Sequence, residues 1–331
     1  MNNVVFIIPT GLGCEIGGHA GDATPAARLI AETCDKIILN PNVVNASDIN
    51  EMPDNALYVE GGMLDRFLEG QFGLDEVRSN KIIVAVNDGV SPDIVNAVSA
   101  SRVTLGVNAK IEILKTPLQM KGWVDGDIAT GRHDGVKELI RQFMHRDFDA
   151  LAIVTEIDVD EGVALEYFKT GGVNPWGGIE AEVSRMITGG LRKPVAHAPV
   201  ESTATKETPE LLNLPYNEIV DPRMAPEVMA VGYSHCVLKG LHRAPRVGSE
   251  ITHSSVMALV TPSGCVGRPH LACLERGIPI IAVEGNNSFQ GQRNSRIIYV
   301  KSYIEAAGMI SLIKSGVTMD SVLGIKQTKI V

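Results

Sequence analysis

Residues 4–25 read VVFIIPTGLGCEIGGHAGDATP: an unbroken apolar run, a glycine-rich loop and a helix start in direct succession. Five consecutive apolar residues, from Val4 to Ile8, suit a strand covered on both faces, as in a parallel sheet with helices above and below it. Thr24 followed by Pro25 is a cap and first-turn pair, so a helix begins there. Strand, loop and helix in this order form the repeating unit of α/β folds.

Working outward, further runs rich in Val and Ile stand at residues 36–39, 56–59, 82–86, 150–154, 194–197, 257–261, 278–283 and 297–300. Helical patterns lie between many of them, at residues 25–34, 135–144, 179–191, 270–276 and 303–314. The alternation predicts an α/β protein with largely parallel, doubly covered sheets. Residues 103–105 and 110–114 follow one another without a helix between them and read as a small hairpin-like sheet extension. The chain has 331 residues, and single cores stop growing near ~250–300, so two closely packed lobes are expected. A soft boundary within residues 115–132 divides an N-terminal lobe, 1–125, from a C-terminal lobe, 126–331. Residues 201–215, rich in Thr, Glu and Pro, read as an exposed loop suited to a lid.

Charge and cysteine usage narrow the function classes. Thirty Lys and Arg stand against 39 Asp and Glu, a formal net charge of −9, and no basic run offers a groove for a phosphate backbone. Nucleic acid is therefore not an expected partner. The first ten residues lack a basic n-region, and no apolar run approaches the ~18 residues of a membrane-spanning helix. The five cysteines, Cys14, Cys34, Cys236, Cys265 and Cys273, are odd in number and form no CxxC pair, which argues against a disulfide framework. These features place the protein in the cytoplasm, where a homodimer is the common state of an enzyme this size.

Three glycine-rich loops carry the chemistry. The first has five glycines within residues 11–21, a costly choice unless the backbone closely approaches something or adopts positive φ. Exposed N–H groups of Thr10, Gly11, Gly13, Gly17 and Gly18 would hold a phosphate or carboxylate, with Arg28 on the following helix to neutralise it. Glu15, His19 and Asp22 bring acid and base groups to the same loop. It is neither a Walker A loop nor a regular GxGxxG fingerprint, and a tight turn that simply needs glycine is the competing reading.

The second loop is TPSGCVGRPH, residues 261–270. Cys265 stands just before a helix, where the positive dipole end favours a thiolate, with Ser263, Gly264, Gly267 and Arg268 as anion contacts. A small buried thiol filling space under the turn is the alternative. The motifs Pro9-Thr10-Gly11 and Pro262-Ser263-Gly264 both end an apolar strand, and each is followed by a cysteine. Two such loops facing each other would set Cys14 and Cys265 on one substrate, as in cofactor-independent racemases. In the third loop, GGVNPWGGIE at residues 171–180, Asn174 and Trp176 are ligand contacts or a helix-entry packing anchor.

Polar residues also recur at strand ends, among them Asn40, Asn42, Asn45, Glu60, Asn87, Thr155, His197 and Asn286. No HExxH, Cys/His cluster or calcium loop is present, so no dedicated metal site is expected, although cleft carboxylates could hold Mg²⁺ with a substrate. No redox cofactor is indicated.

The segments IPTGLGCEIGGHAGDATPAARLIAETCDKIILNPNVVNASD, NALYVEGGMLDRF, GGVNPWGGIEAEVSR, VAHAP, VDPRMAPE and PSGCVGRPHLACLERGIPIIAV together resemble the bacterial and archaeal family catalogued as domain of unknown function 3326. The resemblance spans nearly the whole chain and implies no catalytic role for any residue. The residues themselves point to an enzyme of small-molecule metabolism, a cofactor-independent isomerase, hydrolase or lyase acting on a carboxylate- or phosphate-bearing substrate. In this scheme Cys265, His19 and Glu15 are the catalytic candidates. A nucleotide or nucleotide-sugar enzyme and a non-catalytic metabolite-binding protein are the alternatives.

Overall fold

The computed structural model describes residues 2–17, 22–199, 218–223, 225–226, 233–287 and 293–324. His19, Gly18 and the expected lid at 201–215 lie outside the described residues. The protein is α/β, with two mostly parallel sheets and interleaved helices.

The larger sheet comprises β1 (Asn3–Phe6), β2 (Lys36–Leu39), β3 (Ala56–Tyr58), β12 (Val256–Ser263), β13 (Ile280–Asn287) and β14 (Ile297–Val300). Their order is β14-β13-β12-β1-β2-β3, and every neighbouring pair is parallel. The pleat sends alternate side chains to opposite faces, so both must be apolar. Val4 and Phe6 join Ile30, Ile37, Val260 and Ile310 under α1 (Thr24–Ala31) and α9 (Tyr303–Ser315). Val5 joins Ile38, Met63, Phe67, Leu259 and Cys273 under α2 (Gly61–Leu68) and α8 (Arg268–Arg276).

The second sheet runs β10 (Val195–Pro199), β9 (Ala150–Thr155), β5 (Lys81–Val86), β6 (Asn108–Ile113), again parallel throughout. One face packs on α4 (Val136–Phe143) and α6 (Gly177–Leu191) through Ile83, Leu151, Ile153, Leu139, Val183 and Ile187. The other packs on α3 (Pro92–Leu105) and α7 (Tyr233–Arg243) through Val84, Ala152, Ile94, Val98, Leu238 and Leu241.

Two expectations need correction. The lobes do not divide the chain at residue 125, which falls at the turn of an antiparallel hairpin, β7 (Gln119–Asp125) with β8 (Ile128–Asp134). Instead the larger sheet draws strands from both ends of the chain, because β1 lies inside it with β2 and β3 on one side and β12 to β14 on the other. Nor do residues 103–105 begin a hairpin: they end α3, which Gly106 stops in the left-handed region at φ 70. The helix was hard to read because small or polar residues, Asn96, Ala97, Ser99, Ala100 and Ser101, occupy most of its buried positions and blur the apolar period. The strand that follows, β6, joins β5 in parallel.

Helix α6 packs across the seam between the lobes, against α2 and under the first glycine loop. Gly11 O accepts from Ala129 N at 3.1 Å, and a Cβ on Gly178 would stand 2.0 Å from Ala129 O. Glycine is required there for backbone to pass backbone.

Candidate functional site

In the larger sheet β1 and β12 are neighbours, yet the chain leaves β1 for α1 on one face and β12 for α8 on the other. The diverging connections open a crevice at the carboxyl ends of these two strands, the position where open α/β sheets bind ligands.

The first loop is pinned into this crevice by buried amides. Asn40 accepts from Ile8 N at 3.1 Å and donates to Ile8 O at 2.8 Å, fixing the exit from β1. Asn286, fully buried on β13, accepts from Ile16 N at 3.0 Å and donates to Ile16 O at 2.8 Å and to the Tyr303 hydroxyl at 2.7 Å. Asp22 Oδ1 accepts from Gly17 N at 2.6 Å, and Gly17 itself has φ +80. Folded back in this way, the loop brings Cys14 beside Cys265, close enough for the second thiol to be the largest influence on the first.

The second loop is ordered by His270. Its Nδ1 accepts from Gly267 N at 3.0 Å, so in the neutral ring Nε2 carries the proton and donates to Thr261 Oγ1, 3.0 Å away. Burial depresses the imidazole from 6.5 to about 4 and keeps it neutral. Gly264, at φ +83, turns the chain so that Cys265 lies buried beneath, its Sγ 3.8 Å from Ser263 O. Cys14 is held firmly protonated. Its interaction with Cys265 is the largest cause, followed by burial and the nearby Asp22 carboxylate. The Tyr303 hydroxyl, also raised chiefly by burial, feels the same three groups. All five cysteines are thiols.

The other expected residues fall in several places. Glu15 is exposed on the first loop, and Thr10 is exposed with its Oγ1 accepting from Asn42 Nδ2 at 3.0 Å. Gly11 and Gly13 lie in the seam, Gly13 against the backbone of Gly172 in the third loop. In that loop Asn174 Oδ1 accepts from Trp176 N at 3.0 Å, and Trp176 meets Tyr167 edge to face at 5.9 Å. Arg28 is paired with Glu51 at 2.7 Å and Arg268 with Glu69 at 2.9 Å, so both guanidinium groups engage carboxylates of neighbouring elements. Tyr303 was not anticipated. It enters the crevice from the start of α9, nearly three hundred residues after Cys14, and no local motif marks it.

Among the described residues no group of three or more His, Cys, Asp or Glu is arranged to hold a metal ion. No described helix is long and apolar enough to cross a membrane. The sequence profile of a family described as "Protein of unknown function (DUF3326)" matches residues 3–323. A Synechococcus sp. protein described as an uncharacterized lipoprotein is 32% identical over 335 residues, covering 94% of this chain and 90% of its own length. No solved structure matches the chain.

Proposed function

The chain belongs to the DUF3326 family, whose description carries no activity, and from its own crevice we propose an enzyme that acts on a small carboxylate- or phosphate-bearing molecule through thiol acid/base chemistry. The observation that carries this reading is the placing of Cys14 beside Cys265 at the point where the connections from β1 and β12 part. A proton retained on Cys14 stabilises negative charge on Cys265, so Cys265 is the sulfur that accepts a proton or attacks, and Cys14 is the donor. A substrate anion would dock at the turn before α8, near the positive dipole end of that helix, while the Gly267 N–H stays with His270. Glu15 and His19 belong to the same loop and are the further acid/base candidates.

The test is isotope exchange. The protein is incubated in D2O with panels of small carboxylates and phosphate esters, and solvent deuterium entering a carbon-bound position is followed by NMR. Cys265→Ser is expected to lower exchange by about 100-fold or more, the scale of losing a positioned acid/base group. Full exchange by Cys14→Ser would remove the paired-thiol version. If no carboxylate or phosphate ester raised the melting temperature at millimolar concentration, the anion reading would fall with it.

We place the protein in the cytoplasm, a reading supported by five cysteines without paired spacing, and take a homo-oligomer as the common state of an enzyme this size. The word lipoprotein describes the Synechococcus relative. Recovery of this chain in the membrane fraction would overturn the compartment, and light scattering of the purified protein reads the oligomer.

A further inference from the structure

A second group of polar side chains meets at the seam between the lobes, outside the thiol crevice. Glu60 follows β3 and caps α2 in the first lobe; Glu180 lies in the first turn of α6; His197 is on β10 and Thr155 ends β9. Glu60 and His197 are 6% and 5% exposed, whereas the Glu180 side chain keeps 26% of its surface. Among the described residues no donor reaches the Glu60 carboxyl, and no Lys or Arg offsets the negative charge of Glu180 upon it. Burying acceptors without donors is costly, so such groups normally have partners.

The imidazole gives the independent indication. His197 Nε2 lies 3.0 Å from Thr155 Oγ1, while among the described residues the buried Nδ1 has no hydrogen-bond partner and stands 3.6 Å from Glu180 Oε1. The Thr155 hydroxyl can donate or accept, so it fixes neither tautomer; in the one that donates through Nε2, the Nδ1 lone pair meets a carboxylate oxygen and the group lacks a donor. The molecule contains its own comparison. The Thr261–His270 pair has the same 3.0 Å geometry, but its Nδ1 is satisfied by Gly267 N, as a purely structural histidine should be. His197 lacks that closure.

We propose that Glu60, Glu180 and His197 form a receptor for the primary ammonium group of a small molecule, independent of the thiol site. Three groups from two lobes can accept the three N–H donors of an ammonium, with Glu180 supplying negative charge and Glu60 giving up its proton to solvent as the cation binds. The partly exposed Glu180 is the side from which the ligand enters. Because the acceptors come from both lobes, occupancy ties the lobes together.

The experiment is a thermal-shift titration with ethanolamine, β-alanine and 1,4-diaminobutane, each set against its N-trimethylated counterpart at equal ionic strength, and against Zn²⁺. At least one primary amine is expected to raise the melting temperature by about 2 °C at tenfold its Kd, a response absent for its quaternary counterpart. Glu180→Gln and His197→Gln are expected to abolish the shift, and Cys265→Ser to retain it, which separates this site from the thiol chemistry. Should either variant fail to fold, ¹⁵N shifts of the His197 ring in the intact protein provide the second reading, and they are expected to move on amine addition. Equal stabilisation by quaternary amines, no response to any primary amine at 10-fold millimolar excess, or a response to Zn²⁺ alone would overturn the proposal. So would a ring found to carry a proton on Nδ1 in the amine-free protein, because the imidazole would then supply the missing donor itself.

Discussion

At Glu60 burial, and then the negative charge of Glu180, raise the carboxyl to about 8 from the ordinary 4.5. Tyr58 faces the same charges, and His197 stands beside Glu180. Between pH 4.5 and 8 the folded state holds a proton that the unfolded chain has released, so stability falls as pH rises through that window. His270 acts in the opposite sense. Its ring is depressed to about 4 from 6.5, so between those values the unfolded chain binds the extra proton and stability falls as pH drops. The two windows overlap and offset one another in mildly acid solution. Glu60→Gln is therefore expected to remove the alkaline decline, worth a few kcal/mol at about 1.4 kcal/mol per unit, and leave the acid decline from His270 uncovered. Urea midpoints from pH 4.5 to 8.5 read both effects, and a variant whose slope runs parallel to the parent protein's would show that Glu60 is not the group responsible. Legibility at this scale was uneven. Glu60, His197 and Asn286 were visible as polar residues at strand ends, but which of them would meet Glu180 or the thiols depends on how separate elements pack, Glu60 capping α2 and Glu180 lying in α6.

At the scale of elements, glycine has two distinct roles in helices of this protein. Gly178 in α6 passes directly over the hairpin strand β8, where an added Cβ would meet Ala129 O at 2.0 Å. Gly178→Ala is expected to cost about 1–3 kcal/mol, since one backbone or the other must shift. Gly308 in α9 has nothing within 4 Å of its notional Cβ, so Gly308→Ala is expected to stabilise by about 0.5–1 kcal/mol through helix propensity alone. Opposite signs in chemical denaturation check the pair; a neutral Gly178→Ala would mean the seam is looser than the packing implies. The glycine-rich character of residues 11–21 and 171–178 was plain in sequence, with ligand approach or a tight turn as competing causes. For Gly11, Gly13 and Gly178 the structure adds a third cause, close passage between the two loops and the hairpin, which no local pattern could have shown.

For the whole molecule, the larger sheet is assembled from residues 3–58 and 256–300, so neither end of the chain can complete it alone. A fragment of residues 1–125 would leave β1 without β12 and strip Val5 and Phe6 of the helices α8 and α9 that cover them. It is expected to be unfolded or aggregated by circular dichroism and dispersion of its NMR spectrum; an independently folded fragment would contradict the shared sheet. By itself the sequence determined the α/β class, the positions of nearly all the parallel strands and the loops at their carboxyl ends. Those features rest on contiguous residues: apolar runs that need cover on both faces, and Pro, Gly and Thr that start and stop helices. Only the tertiary structure decided that β1 pairs with β12, that Cys14 stands near Cys265, and that two carboxyl groups and an imidazole share the seam. Sheet order joins strands some 250 residues apart, and the free energy that selects it comes from burying both faces at once, a quantity that no short stretch of chain contains.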